Sequence, residues 1–201
     1  MIELSLENKK HVDDIIISTK WGETIEFGDI SFFLWGHRNG GATVGSYICT
    51  QKHRQNYPWW RVLNRDGHPI ADDVAIINLK NEGHQIPYSV IVGYNKMNPQ
   101  AIIMNRNGIL GVVTTAIETI LRSNHAKTLS SNQIFKTLPV ALQNSLSTIA
   151  SSYNKGACKD PASYVGTAAS MLVNGNPTSF FHDKHFYCPH LNRFDDAFRT
   201  I

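Results

Sequence analysis

The segment 57–67, which reads YPWWRVLNRDG, constrains the fold more than any other part of this 201-residue chain. Two adjacent tryptophans, Trp59 and Trp60, follow a proline and precede the turn-forming residues 64–67. Side chains of this size are usually buried, so the segment must lie against a folded core or line an apolar pocket. Both interpretations require ordered elements on either side of it.

Helical spacing of apolar residues is present on both sides of this segment. It predicts helices over residues 11–19 and 42–50, and a third helix that ends near Gly83. Asp29 is predicted to cap a further helix, and residues 39–41 (NGG) are predicted to form a loop. These elements favour a mostly helical first half of the chain.

The second half is predicted to be mainly helical, with a small strand pair. The predicted strands are 88–93 and 100–104, and the predicted helices are 109–121, 142–153 and a segment from Asp160-Pro161 to Gly175. We place a domain boundary between Gly83 and Tyr88. The expected fold is therefore α+β and mostly helical, with one domain over residues 1–86 and a mainly helical domain over residues 87–201.

Charge is unevenly distributed although the net charge is only +3. Residues 1–82 hold nine Lys or Arg against eleven Asp or Glu, and residues 83–201 hold ten against five. Within the acidic half, basic residues gather in one window: Lys52, His53, Arg54, Arg61, Arg65 and His68. Such a cluster could face phosphates, or it could be a solvated loop.

No run of about 18 uncharged apolar residues is present, and the opening residues are polar. We therefore expect no membrane association and a cytoplasmic location. The three cysteines, Cys49, Cys158 and Cys188, lie far apart in the sequence, which argues for reduced thiols. Cys49 lies on the predicted helix 42–50, where a small buried cysteine is the expected interpretation.

Four segments in order resemble the alkyltransferase-like proteins and the methylated-guanine DNA methyltransferases. They are WGETIEFGDIS (21–31), GGATVGSYI (40–48), YPWWRVLNRDG (57–67) and IINLKNEG (76–83). In the methyltransferases the loop reads Pro-Cys-His-Arg-Val, and its cysteine takes the alkyl group. Here Trp59 stands in that place, as in the alkyltransferase-like proteins, which bind damaged DNA without repairing it. The resemblance covers about residues 11–86 and implies a helix-turn-helix (winged-helix-like) fold for the domain at residues 1–86.

The resemblance implies that double-stranded DNA is the partner. A recognition helix would enter the minor groove, where close approach requires small side chains, and a flipped base would occupy an aromatic pocket. The implied groove and base contacts are Phe27, Arg38, Gly41, Ala42, Thr43, Gly45, Ser46, Trp59, Trp60 and Arg61, and the implied phosphate contacts are Lys52, Arg54 and Arg65. Arg61 could instead be structural.

Two positions depart from the family. Phe27 stands where the family has its nucleotide-rotating tyrosine, and Ala42 stands where it has its arginine finger. Arg38 could replace the finger if the loop were reshaped. Base flipping is therefore open, and so is the identity of the base or lesion.

No catalytic residue is predicted. The Pro58-to-Val62 segment contains no cysteine, so alkyl transfer is not expected. One alternative is a DNA endonuclease, restriction-type or modification-dependent, that would use the first domain as its reader and a divalent metal for cleavage. Another is a protein–protein adaptor, in which both tryptophans are core residues and the second domain docks a partner.

Histidines are concentrated near the end of the chain. His182, His185, Cys188 and His190 are weak candidates for a zinc site, because their spacing matches no common zinc motif. The aromatic residues between them favour a tail that packs onto the core. We therefore expect no cofactor, and the role of the second domain is open.

Overall fold

The computed structural model describes residues 4–92, 95–125, 127–153, 159–188 and 193–201. Within these ranges the chain divides into two compact units, with the division after Ile103. Residues 87–92 and 95–103 therefore group with the first unit, whereas the sequence places the boundary between Gly83 and Tyr88. That boundary stays a prediction about domain organisation. The fold class, α+β and mostly helical, is confirmed.

The first unit is built from helices joined by short turns and very short strands. Its α-helices and strands are α1 (Leu6–Ile17), β1 (Glu23–Glu26), α2 (Phe27–Trp35), α3 (Gly41–Thr50), β2 (Val62–Leu63), α4 (Asp73–Asn81), β3 (Asn95–Lys96) and α5 (Pro99–Arg106). Ser5 caps α1 by accepting a hydrogen bond from the N–H of Asn8 (3.2 Å), and Asp72 caps α4 by accepting from the N–H of Val74 (3.0 Å). These caps satisfy backbone donors that the first helical turn leaves unpaired.

A three-stranded sheet connects distant parts of the first unit in the order β2-β1-β3, and both pairings are parallel. Ile25 is in register with Val62, and Thr24 with Lys96. Because β2 follows the tryptophans directly, this pairing fixes the tryptophan loop against the strand that leads into α2. The core of the unit is apolar and fully buried at Val12, Ile15, Ile16, Ile25, Ile30, Val44 and Ile48.

The second unit contains helices and an antiparallel sheet. Its elements are α6 (Leu110–Ser123), β4 (Leu129–Ser130), α7 (Ser131–Thr137), α8 (Val140–Ser152), α9 (Pro161–Gly175), β5 (Phe180–Cys188) and β6 (Arg193–Thr200). Ser130 and Gln133 form a capping box at the start of α7, and Asp160 caps α9 directly before Pro161. The helices predicted over 109–121, 142–153 and 160–175 are confirmed as α6, α8 and α9.

The sheet of the second unit has the order β4-β6-β5, with Ser130 paired to Ala197 and Phe181 to Arg199. The aromatic residues of the predicted tail lie in β5 and β6, which pair in antiparallel fashion. Two aromatic-rich runs separated by a short segment with proline and asparagine are a hairpin signal. Phe180 and Phe198 are nearly or fully buried, so the aromatic residues do pack onto the core.

The predicted strand over residues 100–104 is also wrong, since these residues lie in α5. A short apolar run fits a buried strand and a buried helix equally well. The local start signal decides: Oδ1 of Asn98 accepts from the N–H of Gln100 (2.9 Å), and Pro99 opens the helix. The predicted strand over 88–93 is a 3-10 turn at Pro87–Ser89 followed by an isolated bridge of Val92 to Gln85, and residue 93 lies outside the described residues.

Two details near α2 differ from the expectation. Asp29 does not cap α2, because the helix begins earlier, at Phe27, and its N-cap residue is Glu26. Residues 39–41 are not a loop: Arg38–Gly40 forms a 3-10 turn and Gly41 is the first residue of α3. The connection between α2 and α3 is therefore tight, and Gly36 ends α2 with a φ of 77° that favours glycine.

Candidate nucleic-acid interface

The glycines of the predicted recognition helix α3 face the protein. A Cβ atom at Gly45 would lie 3.4 Å from the ring of Phe27, and one at Gly41 would lie 3.5 Å from the backbone nitrogen of Gly28. At Gly40 a Cβ atom would lie only 2.3 Å from the ring of Trp35. Glycine at these positions thus permits close packing of α2 against α3.

A neighbouring, exposed face of α3 carries small, uncharged side chains. Ala42, Ser46 and Cys49 are exposed, and Thr43 is partly exposed beside them. Cys49 is a free thiol and exposed, so the expectation that it is buried is wrong. The helix therefore presents a low, uncharged ridge to solvent.

Arg38 lies directly before α3 and is turned toward acidic groups. Its Nη1 lies 3.3 Å from Oε2 of Glu26, and its Nη2 forms an ion pair with Asp29. The guanidinium also lies over Gly28, where a Cβ atom would approach Nη1 to 3.3 Å. The side chain is 53% exposed, so these contacts hold Arg38 at the surface of the α2–α3 connection.

The tryptophan loop consists of a 3-10 turn, Trp59–Arg61, that leads into β2. Trp59 is only 4% exposed, whereas Trp60 is partly exposed, and the two rings meet edge to face with centroids 6.1 Å apart. Nζ of Lys52 lies 4.4 Å from the centroid of the Trp59 ring, a cation–π distance. One face of Trp59 is thus covered by a charged side chain rather than by apolar core residues alone.

Lys52 is held in this position by Asp72, the N-cap residue of α4. Its Nζ lies 2.7 Å from Oδ2 of Asp72, and both side chains are roughly a quarter exposed. The hydrogen bond from Lys52, together with the N–H of Val74, lowers the pKa of Asp72. The Lys52–Asp72 pair therefore connects the end of α3 to the start of α4 across the face of Trp59.

Glu82 is the residue that fixes the tryptophan loop, and sequence reasoning did not single it out. Its Oε1 accepts from the indole N–H of Trp60 (2.7 Å), and its Oε2 accepts from Nε of Arg61 (2.9 Å) and from the N–H of Gly22 (3.1 Å). Arg61 also donates to the carbonyl oxygen of Thr19. The signal for Glu82 was its place in the segment IINLKNEG, directly before Gly83.

Arg61 is 9% exposed, and its guanidinium is bound to Glu82 and Thr19 as described. These contacts agree with the structural interpretation of this arginine. A buried charge with a partner is stable only while the partner remains, because an unpaired buried charge is strongly disfavoured.

A second ion-pair cluster also lies near the C-terminal end of α3. Nη1 of Arg54 lies 2.6 Å from Oδ2 of Asp13, and the hydroxyl of Tyr47 donates to the same carboxylate at 3.0 Å. Burial, and then the charge of Asp13, raise the pKa of Tyr47 to about 12. The Arg54 guanidinium also lies 4.8 Å from the ring centroid of the buried Tyr57. Arg54 thus joins α1, α3 and the segment before the tryptophans.

The predicted turn at residues 64–67 is confirmed, and Arg65 is exposed in it. Oδ1 of Asn64 accepts from the N–H groups of Asp66 (2.9 Å) and His68 (2.8 Å), and Gly67 has a φ of 82°. Among the predicted phosphate contacts, Arg65 is thus held out into solvent, whereas Lys52 and Arg54 are bound to carboxylates.

The histidine candidates near the end of the chain are only partly described. Nε2 of His182 lies 2.9 Å from Oδ1 of Asp196, and its ring stacks on Phe198 with centroids 4.5 Å apart. The side chains of His185 and Cys188, and the whole of His190, lie outside the described residues. Across the part of the chain that is described, three or more potential metal ligands do not come together, and no helix is long and apolar enough to cross a membrane.

The fold and the site together define a helix-turn-helix unit that carries a tryptophan-containing loop fixed by a buried glutamate. Neither protein-family models nor curated proteins show a match to this sequence. A solved structure of S. pombe Atl1 in complex with damaged DNA containing O6-carboxymethylguanine is similar to part of the chain, at 23% sequence identity. The alignment covers 40% of this chain and 80% of that chain, with a TM-score of 0.36. The similarity is therefore distant and structural only.

Proposed function

We propose that the first unit binds double-stranded DNA and reads a modified base, such as an alkylated guanine, without transferring the alkyl group. The observation that carries this proposal is the small, uncharged ridge of Ala42, Ser46 and Cys49 on α3, a helix followed directly by the segment whose Lys52 lies over Trp59. The ordered segments that resemble the alkyltransferase-like proteins support it from the sequence.

The ridge suits close approach to a groove. Because the glycines of α3 pack onto α2, the helix cannot rotate to present another face without losing the contacts of Gly41 and Gly45 with Phe27 and Gly28. Small side chains permit the backbone of a helix to come near the sugar-phosphate walls of a narrow groove. The helix-turn-helix thus fixes which surface would meet DNA.

The basic residues around the ridge supply the attraction to phosphate. Arg65 is exposed, and Lys52 and Arg54 lie at the C-terminal end of α3 in surface ion pairs with Asp72 and Asp13. Surface pairs of this kind contribute only about 0.2–1 kcal/mol each, so phosphate oxygens can replace the carboxylates at small cost. We infer that DNA binding exchanges these partners.

Trp59 would supply the contact with the modified base. If Lys52 leaves the Trp59 ring for a phosphate, the face that it covers at 4.4 Å becomes available for stacking with a base. Base stacking on an aromatic side chain is worth about 1–3 kcal/mol. An indole ring cannot act as the alkyl acceptor that a cysteine thiolate would be, so this site would read a modified base and leave it unchanged.

The test is a titration of the protein with two duplexes of the same sequence, one containing a single O6-methylguanine and one unmodified. Tryptophan fluorescence and the anisotropy of a DNA label are followed at about 0.15 M salt. We expect tighter binding of the modified duplex, with quenching that is reduced in Trp59→Phe. The control is Trp21→Phe, because Trp21 is 69% exposed and lies in the turn before β1.

Equal affinity for the two duplexes would remove the modified-base part of the proposal and leave DNA binding. The absence of any binding at this salt concentration would refute the proposal and favour the protein–protein adaptor. Recovery of the methylated guanine unchanged after prolonged incubation is expected, and its conversion to guanine would contradict reading without transfer.

A further inference from the structure

Residues 85–92 form a closed loop whose tip carries Tyr88. Gln85 and Val92 form an antiparallel bridge, in which the N–H of Val92 donates to the carbonyl oxygen of Gln85 (3.1 Å). The tip is the 3-10 turn Pro87–Ser89, and Tyr88 is 98% exposed there. A tyrosine ring normally contributes buried apolar area, so its complete exposure on a hydrogen-bonded loop is unusual.

The backbone of the tip is strained. Tyr88 has φ 52° and ψ 36°, and Ser89 has φ 64°, so two consecutive residues that are not glycine occupy the left-handed region. Residues other than glycine, asparagine and aspartate adopt this backbone conformation rarely and at a cost in energy. Such outliers persist only where neighbouring contacts hold them, and they are concentrated at functional sites.

The contacts that hold the tip come from the turn that follows β2. The N–H of Ile91 donates to the carbonyl oxygen of Gly67 (3.0 Å), and Nδ1 of His68 lies 3.1 Å from the carbonyl oxygen of Ser89. Ile91 is 2% exposed and belongs to a cluster against which Trp60 packs. The loop is thus anchored on the same structure that positions the tryptophans, while its aromatic tip projects into solvent.

The anchoring turn is also the one that holds Arg65 in solvent. It carries Asp66 as well, so the charges of this turn oppose each other, and a purely electrostatic role does not fit it. What the tip offers is a flat, exposed aromatic ring with a polar edge, on a loop anchored to the turn that carries Arg65. This combination stacks on nucleobases, and it does so without regard to their sequence.

We propose that Tyr88 is a second DNA-contacting residue, which stacks on an unstacked base of the DNA bound by the first unit. This inference rests on the proposed function and adds to it a contact from a segment that lies after the region of family resemblance. The strained backbone then directs the Tyr88 side chain outward before DNA binds, so that less backbone conformational entropy is lost on binding.

The test measures the affinity of the full chain for the O6-methylguanine duplex in three variants. Tyr88→Ala removes the ring, Tyr88→Phe keeps it, and Phe181→Ala removes a 44% exposed aromatic ring from the second unit as the matched control. Loss of one stacking contact predicts binding weakened roughly 5-fold to 100-fold for Tyr88→Ala, with the other two variants within about 2-fold of wild type. The melting temperature of Tyr88→Ala should stay unchanged, because the ring has almost no protein contacts.

The outcomes separate the two claims. If the wild-type protein binds DNA and Tyr88→Ala binds equally well, the inference about Tyr88 is overturned and the proposed function stands. If Tyr88→Phe loses as much affinity as Tyr88→Ala, stacking is overturned, since the ring was retained. If the wild-type protein does not bind DNA, both claims are overturned.

Discussion

The indole N–H of Trp60 donates a hydrogen bond to Oε1 of Glu82 over 2.7 Å, while the same carboxylate holds the guanidinium of Arg61 at 2.9 Å. One buried acid thereby fixes two consecutive residues of the tryptophan loop. It lies at the C-terminal end of α4, so the loop and the helix are joined by side chains as well as by the chain. Trp59 immediately precedes the fixed pair, and its ring meets that of Trp60 edge to face.

Replacing Glu82 with leucine is expected to destabilise the protein by about 3–5 kcal/mol, because Arg61 would remain buried without its partner. The measurement is urea unfolding followed by tryptophan fluorescence. The matched control is Glu118→Gln, which removes an exposed ion pair with Arg122 on α6 and should change stability by less than about 1 kcal/mol. In the double variant Arg61→Leu with Glu82→Leu, part of the loss should be recovered, and strictly additive losses would argue against the pair as the cause.

Gly40, directly before α3, and Gly45, within α3, should respond differently to alanine. At Gly40 the new Cβ atom would meet the Trp35 ring at 2.3 Å, which is far inside van der Waals contact, so we expect a loss of about 1–3 kcal/mol. At Gly45 it would lie at an ordinary contact distance of 3.4 Å from Phe27, and the higher helix propensity of alanine should offset any strain to within about 1 kcal/mol. Thermal unfolding of both variants provides the comparison, and equal losses would contradict the packing of α2 on α3.

Lys52→Met retains the apolar stem that lies over Trp59 and removes the charge. We expect a stability loss of at most about 1 kcal/mol, because the ion pair with Asp72 is partly exposed. If Lys52 transfers to a phosphate on binding, the slope of log affinity against log salt should fall by about 1 in this variant. Lys80→Met, on the exposed side of α4, is the control, and an identical change of slope there would show that only net charge matters.

Acid should destabilise the protein through His84. Its Nε2 is buried without a hydrogen-bond partner among the described residues, and this burial lowers the pKa of the imidazole below 6.5. The nearby Glu82 opposes the effect and Arg61 adds to it, but burial dominates. Because the unfolded chain then binds the proton more readily than the folded chain, stability rises with pH through the interval between the folded pKa and 6.5.

The check on His84 is the melting temperature between pH 5 and pH 7.5, values that bracket the ordinary histidine pKa of about 6.5. The wild-type protein should lose more stability on acidification than His84→Gln, which cannot titrate. A parallel pH dependence in the two proteins would show that other groups are responsible.

The helices could be predicted from the sequence because their signals are local. Asp160 before Pro161 and the spacing of Val113, Ile117 and Leu121 specify where α9 begins and which face of α6 is buried, and both agree with the structure. The strand predicted at residues 100–104 is wrong because a short apolar run fits a strand and a helix alike, and the start signal at Asn98-Pro99 specifies a helix. That signal was present and outweighs the apolar run.

The ion pairs of the candidate site could not be predicted, because their members come together only in the folded chain. Nothing local joins Asp13 to Arg54, or Asp72 to Lys52, or indicates that the glycines of α3 face inward. A basic cluster read from the sequence therefore overstates the free positive charge of the surface. Tyr88 was missed for a different reason: a left-handed backbone at residues other than glycine has no sequence signal.

The central strand of the first unit has a consequence for how the unit assembles. Both strands that pair with β1 come later in the chain, and both are parallel to it. Ile25 pairs with Val62, and Glu23 pairs with Asn95. Parallel pairs of this separation require long loop closures, which slow folding. A fragment that stops at residue 86 would leave one edge of β1 without its partner, so the shortest fragment expected to fold on its own must extend through β3 and the start of α5.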